Sequence, residues 1–410
     1  MSSDPRNHNE SGVVSSEIDP TCAPGPLDGI RVLDLTSMIS GPIAAMMLAD
    51  QGADVIKIEP PGGDLVRSMG PNRGGITSTF ISANRSKRSL VLNLKTQAGK
   101  NVLRKLIPTA DVFLQNFRPG AIERMGFSED IVRELRPDIL FVSITGFGET
   151  GPYAHKRVYD PVIQALSGLT SIQQDRDSGR PKMVRTIIPD KTTSVTAAQA
   201  ITAGLFARER TGRGQHIKVA MLDTMVAYLW PEGFAQHTLV GGKVNAPRAQ
   251  LAQDLIFATA DGYITAGAVS DAEWQGMCHA LDRPQWLDDE RFKTASGRVV
   301  NVRERLEMTA DVLATRNSAE WLARLDEHGV PCAPVLSLAE VIEQEQIACN
   351  DLLHEYEHPT VGQIRQPRPA ARFDVTPAQI RRHAPRLGEH NDEILAELGI
   401  EGDELVPRSS

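Results

Sequence analysis

The chain has 410 residues, 41% hydrophobic and 23% charged, the profile of a soluble globular protein with length enough for two domains. Its net charge of −8 argues against a general binder of nucleic acid or anionic membrane, while leaving room for local basic pockets. Four scattered cysteines without CxxC spacing, and no apolar run that could span a bilayer, set the expectation of a reduced, cytoplasmic protein.

Residues 1–25 are rich in Ser, Asn, Asp and Pro, lack the apolar core of a signal peptide, and read as a disordered tail. From Ile30 the pattern becomes regular. Ile30-Arg-Val-Leu-Asp-Leu35 reads as a strand, Pro42-Ile-Ala-Ala-Met-Met-Leu-Ala49 as a helix with its proline early, and Asp54-Val-Ile-Lys-Ile58 as a second strand. The same theme repeats with strands at Ser89–Asn93, Ala110–Leu114 and Ile139–Ile144. Between them run helices over 98–106 and over the stretch that Ser128 caps and Pro137 ends. Such alternation predicts a parallel sheet with helices on both faces. A long helix follows Asp190, then a strand at His216–Ala220 and a helix reaching Trp230. Gly241-Gly-Lys-Val-Asn-Ala-Pro247 has the composition of a loop at a domain boundary. Beyond it, a strand at Gly262–Ala266, helices at Asp271–Leu281 and Ser318–Glu327, and extended chain at Val330–Val335 predict a smaller α+β domain. Residues 401–410 read as a tail.

Three short motifs invite a functional reading. Gly146-Phe-Gly-Glu-Thr-Gly151 fits GxGxxG and follows a strand, but Pro152-Tyr-Ala-His-Lys-Arg157 does not open the helix a pyrophosphate site needs. A glycine loop at a strand's end can still approach a ligand, so a site role without NAD stays open. His354-Glu-Tyr-Glu-His358 fits HExxH, but Pro359 follows at once, and a surface strand and turn is the stronger reading than zinc on a helix. The basic cluster Asn84-Arg-Ser-Lys-Arg88, with Lys95 and Arg124 beyond it, is either a solvated face or a phosphate site.

Asp190 lies between Pro189 and the apolar helix, where an N-cap is the simplest role. The same position suits a nucleophile, since the helix dipole and neighbouring N–H groups would keep the carboxylate charged.

Across about residues 27–398 the chain resembles the class III coenzyme A transferases, the group of formyl-CoA transferase, carnitine CoA-transferase and the bile-acid-inducible F protein. The residues that carry the resemblance include Leu27-Asp-Gly-Ile-Arg-Val-Leu-Asp-Leu35, Gly52-Ala-Asp-Val-Ile-Lys-Ile-Glu59, Asn84-Arg-Ser-Lys-Arg-Ser89, Asn116-Phe-Arg-Pro-Gly120, Thr211-Gly-Arg-Gly-Gln215, Val330-Pro-Cys-Ala-Pro334 and Leu387-Gly-Glu-His390. The resemblance implies an α/β fold in which residues 26–230 and 345–400 form a discontinuous, Rossmann-like CoA-binding domain and residues 245–340 a small α+β domain. It also implies a homodimer of interlocked ring-like subunits.

Carried over by position, the resemblance makes Asp190 the catalytic aspartate. It places Lys95, Arg124 and Arg157 as basic CoA contacts, Ser40, Leu92, Asn116 and Phe117 as CoA-lining residues, and Ile39, Tyr159 and Asp160 in the substrate pocket. The partners it implies are an acyl-CoA and a carboxylic acid, with no metal and no cofactor beyond coenzyme A. Gly241-Gly-Lys-Val-Asn-Ala-Pro247 replaces the glycine run of the formyl-CoA enzymes, and Ile39 stands where they carry a glutamine, so oxalate specificity is not implied. The acyl-CoA racemases of the same superfamily pair a histidine with the aspartate. Tyr159 stands at that position, and a phenol with a pKa of about 10 is a poor base at neutral pH. CoA transfer is therefore the leading expectation, with racemisation and non-catalytic acyl-CoA binding as the alternatives.

Overall fold

Six short apolar runs, each bounded by polar or turn residues, line up as one parallel sheet in a computed structural model of the protein. They are β1 (Arg31–Asp34), β2 (Asp54–Glu59), β3 (Arg88–Val91), β4 (Val112–Gln115), β5 (Leu140–Thr145) and β6 (His216–Ala220). The structure describes residues 23–175, 178–241 and 254–400. Most of the tail expected at 1–25, the tail at 401–410 and the loop expected after Gly241 therefore lie outside the described residues.

The strand order is β3-β2-β1-β4-β5-β6, with every neighbouring pair parallel. This is the doubly wound order expected of a Rossmann-like domain. Strands buried on both faces need a layer on each side, and two clusters supply it. One gathers Leu33, Ile56, Leu90, Phe113 and Phe141 against α3 (Gln97–Leu106) and α4 (Glu129–Leu135). The other sets Val32, Val55, Val112 and Val142 against α1 (Ser40–Asp50) and the long α6 (Ile188–Thr211). To this cluster α1 and α6 contribute mostly small residues (Ala44, Ala45, Ala49, Ala197, Ala198) beside Leu48, Ile201 and Leu205. Glycine closes α6: Gly212 takes φ 67 and donates to Arg208 O at 2.7 Å.

The chain divides into two units. One runs to Pro231 and resumes at Asp351, and the other spans Glu232–Asn350. The first also contains α2 (Ser78–Asn84), α5 (Asp160–Leu166) and α7 (Met221–Gly233) as far as Pro231. The second holds the antiparallel strands Ile256–Ala258, Tyr263–Ala266 and Cys332–Pro334, packed with helices Asp271–Ala280 and Ser318–Glu327 around Trp274, Trp286, Phe292 and Trp321. When the chain rejoins the first unit, helix Asn391–Glu397 lies along β3, with Asn391 Oδ1 accepting from Val91 N at 2.9 Å. No helix of the described residues is long and apolar enough to cross a membrane.

Candidate active site

The order in which strands are added to the sheet reverses between β1 and β4, and in open parallel sheets ligands bind beyond the strands' carboxyl ends at such a point. The loops leaving these two strands are stitched together by one side chain. Asn116 accepts from Ser37 N at 3.0 Å and donates to Ser37 O at 2.8 Å. The β1 loop then turns through Ile39 into α1, whose first residue is Ser40.

Asp190 lies in the first turn of α6 but is not its N-cap. Pro189 has no N–H to offer, so it fits inside the first turn, and the helix begins before it at Ile188 with Ile187 as a cap that has no side-chain acceptor. Asp190 is thus the third helical residue, and its own N–H is one of the amides the helix cannot satisfy. Asp160 satisfies it from another helix: Asp160 Oδ2 accepts from Asp190 N at 3.3 Å.

Asp160 is itself buried, and its Oδ1 accepts from Gln164 Nε2 at 2.6 Å. The Gln164 amide also accepts from Val184 N and donates toward Val184 O and Thr186 O. One buried glutamine therefore ties the acidic residue of α5 to the strand of chain that leads into the nucleophile's helix.

Burial, with Asp160 second, raises the Asp190 pKa from 3.8 to about 6, while the Ser40 hydroxyl and backbone N–H oppose the rise. The carboxylate is thus less acidic than a free one, and still ionised at neutral pH. Desolvation and the Asp160 charge outweigh the Ser40 donors, and about 90% of the group is ionised at pH 7.

Ser40, Asp160 and Asp190 are the expected site residues that the structure brings into direct contact. Ile39 is the half-buried neighbour of Ser40. Leu92 is buried in the cluster on which Phe117 packs. Lys95, Arg124 and Arg157 are exposed cations in segments leaving β3, β4 and β5, all from the sheet's carboxyl edge. Tyr159 precedes α5 and is 66% exposed. Phe117 also lines a cavity of about 450 Å³ shared with Arg118, His155, His216 and Lys218.

The basic cluster at 84–88 is neither a solvated face nor a phosphate site. Arg85 pairs with Asp50 at 2.8 Å, Lys87 with Asp34 at 2.8 Å, and Arg88 with Asp54, Glu393 and Glu397. All three cations are almost fully buried, and only Lys95 and Arg124 of the original set face solvent. The other two motifs follow their plainer readings. Residues 146–151 form a bent loop with no helix opening among them, and HExxH lies on strand Leu353–His358. There His358 faces Ala384 O with Nε2 and accepts from Thr360 N with Nδ1, leaving neither nitrogen for a metal.

Gln164, Ser194, Asp34, Lys57 and Asp64 are not among the residues that the sequence singles out, and Lys87 enters only as part of the basic cluster. A signal did exist for Asp34 and Lys57: a charge inside a strand buried on both faces must be paired, and its partner must come from elsewhere in the chain.

A family model described as CoA-transferase family III matches residues 27–391. The chain is 38% identical to succinyl-CoA:glutarate CoA-transferase of Mus musculus, covering 91% of this chain and 86% of the relative. It is 33% identical to formyl-CoA:oxalate CoA-transferase of Streptomyces coelicolor, covering 92% and 97%. Among solved structures, a CAIB/BAIF family protein from Brucella suis superposes with a TM-score of 0.79 at 30% identity, over 92% of this chain and all of that one.

Proposed function

The chain belongs to CoA-transferase family III, and on that premise we propose that it moves CoA from an acyl-CoA to a carboxylic acid through covalent intermediates on Asp190. The observation that carries this reading is a carboxylate in a helix's first turn, set between Ser40 and Asp160 beside the switch point of the sheet. With a pKa of about 6 it is ionised at neutral pH yet only partly solvated, the condition a carboxylate nucleophile needs.

In the first step an Asp190 oxygen attacks the thioester carbonyl, and the tetrahedral oxyanion collapses to a mixed anhydride and CoA thiolate. The thiolate attacks the Asp190 carbonyl, releasing the donor acid and leaving an aspartyl-CoA thioester. The acceptor carboxylate then attacks that thioester carbonyl and expels the thiolate. This gives a second anhydride, from which the thiolate takes the acceptor's acyl group and frees Asp190. Each addition builds an oxyanion that fixed N–H donors stabilise. The bonds exchanged are thioester and anhydride throughout, so coenzyme A is the one cofactor the cycle uses.

Lys95, Arg124 and Arg157 supply cations for the CoA phosphates, with Leu92, Asn116 and Phe117 lining its path and Ile39, Tyr159 and Asp160 around the acyl group. The reading carries with it a homodimer of interlocked ring-like subunits. The mouse relative is named for succinyl-CoA and glutarate, which makes short dicarboxylates the first acceptors to try.

The test is intact-mass measurement after incubation with succinyl-CoA, followed by an exchange screen over carboxylic acids. A CoA adduct is expected on the wild type and not on Asp190→Ala. An equal adduct on Asp190→Ala would refute the assignment.

A further inference from the structure

The loop between β1 and α1, residues 35–39, is held peptide by peptide by side chains from other elements. Lys57 Nζ, on β2, donates to Thr36 O at 3.1 Å and to Asp64 Oδ2 at 3.0 Å. Asp64 Oδ1 accepts in turn from Met38 N at 3.2 Å. Asn116 holds both the N–H and the carbonyl of Ser37. Lys87 Nζ donates to Pro42 O at 2.9 Å, to Asp34 Oδ2 at 2.8 Å and to Asn84 Oδ1 at 2.9 Å. Asp34 accepts from the N–H and hydroxyl of Thr36. Finally Ser194, one helical turn after Asp190, places its hydroxyl 2.8 Å from Ser40 O and 2.8 Å from Asp190 O.

Such a frame has a cost that packing alone does not explain. Asp34, Lys57 and Lys87 are fully buried and Asp64 nearly so, and burying paired ions is at best neutral compared with apolar residues of similar size. Met38 is kept at φ 69, a left-handed conformation that non-glycine residues rarely adopt and that gathers at functional sites. What the frame delivers is the position of Ser40, whose hydroxyl and N–H face the Asp190 carboxylate. Ser194 joins that loop to the nucleophile's own helix.

We propose that Lys57, Lys87 and Ser194 are positioning residues that fix the β1–α1 loop as a set of donors for the Asp190 carboxylate. The inference rests on the covalent role of Asp190 proposed above. Buried charge here serves geometry: the two ammonium groups clamp the backbone on either side of Ser40, and the Ser194 hydroxyl locks its carbonyl. The charged groups around the loop are Asp34, Lys57, Glu59, Asp64 and Lys87 beneath it and Asp160 beside Asp190; burial lowers the Lys87 pKa to about 8, so Asp190 is read from the difference between proteins with and without its carboxylate.

Two measurements on full-length protein test this. In the first, unfolding free energy is followed from about pH 4 to pH 8 for protein pairs differing by Asp190→Asn. One pair is otherwise wild type, and the other carries Ser194→Ala. The difference within a pair reports Asp190 ionisation without any assay of activity. Ser194→Ala is expected to raise the midpoint above the wild-type value, because the Ser40 donors are no longer held in place.

The second measurement is kcat/KM for CoA transfer against pH. Its acid limb should move the same way, so that Ser194→Ala loses about threefold more activity at pH 6 than at pH 8. Lys57→Met, at the other end of the loop, should shift both midpoints in the same direction. Variants that are less stable but keep both wild-type midpoints would overturn the proposal and leave the frame a purely structural element. If the unfolding midpoint shifts while the wild type transfers no CoA to any acid, the positioning role stands and the transferase reading of Asp190 fails.

Discussion

The backbone N–H of Asp190 donates to Asp160 Oδ2 across 3.3 Å, so one carboxylate caps the helix whose first turn carries the other. The arrangement joins two opposing effects. Asp160 satisfies an amide that α6 would otherwise leave unpaired, and its charge disfavours a second charge beside it. Burial acts in the same direction and is the larger cause, and together they bring the Asp190 pKa to about 6.

The first prediction concerns acid inactivation. With burial leading and Asp160 second, kcat/KM should fall below an acid limb near pH 6. Asp160→Asn removes the like charge and keeps an acceptor for the Asp190 N–H, so the limb should move to lower pH. A pH–rate profile normalised to its plateau separates this shift from any loss of substrate contacts. An unmoved limb in Asp160→Asn would show that Asp160 has no electrostatic part in tuning the nucleophile.

Stability carries the same information with the opposite sense of benefit. The folded pKa of Asp190 lies above its ordinary value of 3.8, so folding is unpenalised below about pH 4, and the cost builds as pH rises from there and is complete above about 6. For a partly exposed group that cost is about 1–3 kcal/mol. Asp190→Asn should therefore be inactive yet more stable than wild type at pH 7.5, with the gain shrinking toward pH 4. Urea unfolding at the two pH values measures it.

The fold was largely legible in the sequence because its strands are near-continuous apolar runs and its helices carry readable boundaries. Ser128 does cap Glu129–Leu135, with its hydroxyl accepting from Ile131 N, as its position predicted. The active-site geometry was less so. Asp190 looked like a cap because a proline precedes it, and only the backbone shows that the proline is already inside the helix. The basic run at 84–88 looked exposed because its counter-charges lie at Asp34, Asp50, Asp54, Glu393 and Glu397, far away in sequence. Local patterning reports periodicity and caps. It does not report which distant carboxylate will meet a cation in the core.

Lys87 tests that last point by energy. Both it and Asp34 are shielded from solvent, so Lys87→Met leaves a buried carboxylate without its counter-ion and should cost about 3–5 kcal/mol. Asp34→Asn combined with Lys87→Met removes both charges and keeps an oxygen for Thr36, so much of the loss should return. Equilibrium unfolding of the four proteins gives the coupling directly. Additive effects would mean that the pair does not act as a unit.

Gln164 offers a sharper test of how the two carboxylates are arranged, because its amide can be altered in shape and in hydrogen-bonding separately. Its Nε2 donates to Asp160 Oδ1 at 2.6 Å and its Oε1 accepts from Val184 N at 3.0 Å. Gln164→Leu removes both bonds and leaves a buried carboxylate with one donor fewer, which should lower kcat/KM by about tenfold. Gln164→Glu keeps the shape and the acceptor, but an ionised glutamate has no hydrogen to give to Asp160 and adds a third carboxylate to the group. It should be weaker than Gln164→Leu at pH 8 and should gain on it as the pH falls toward 6, where a protonated glutamic acid can donate again. Wild type loses activity over the same interval, so the ratio of mutant to wild type should rise on acidification for Gln164→Glu and stay flat for Gln164→Leu. Flat ratios for both would assign Gln164 to packing of the 184–186 segment and not to the orientation of Asp160.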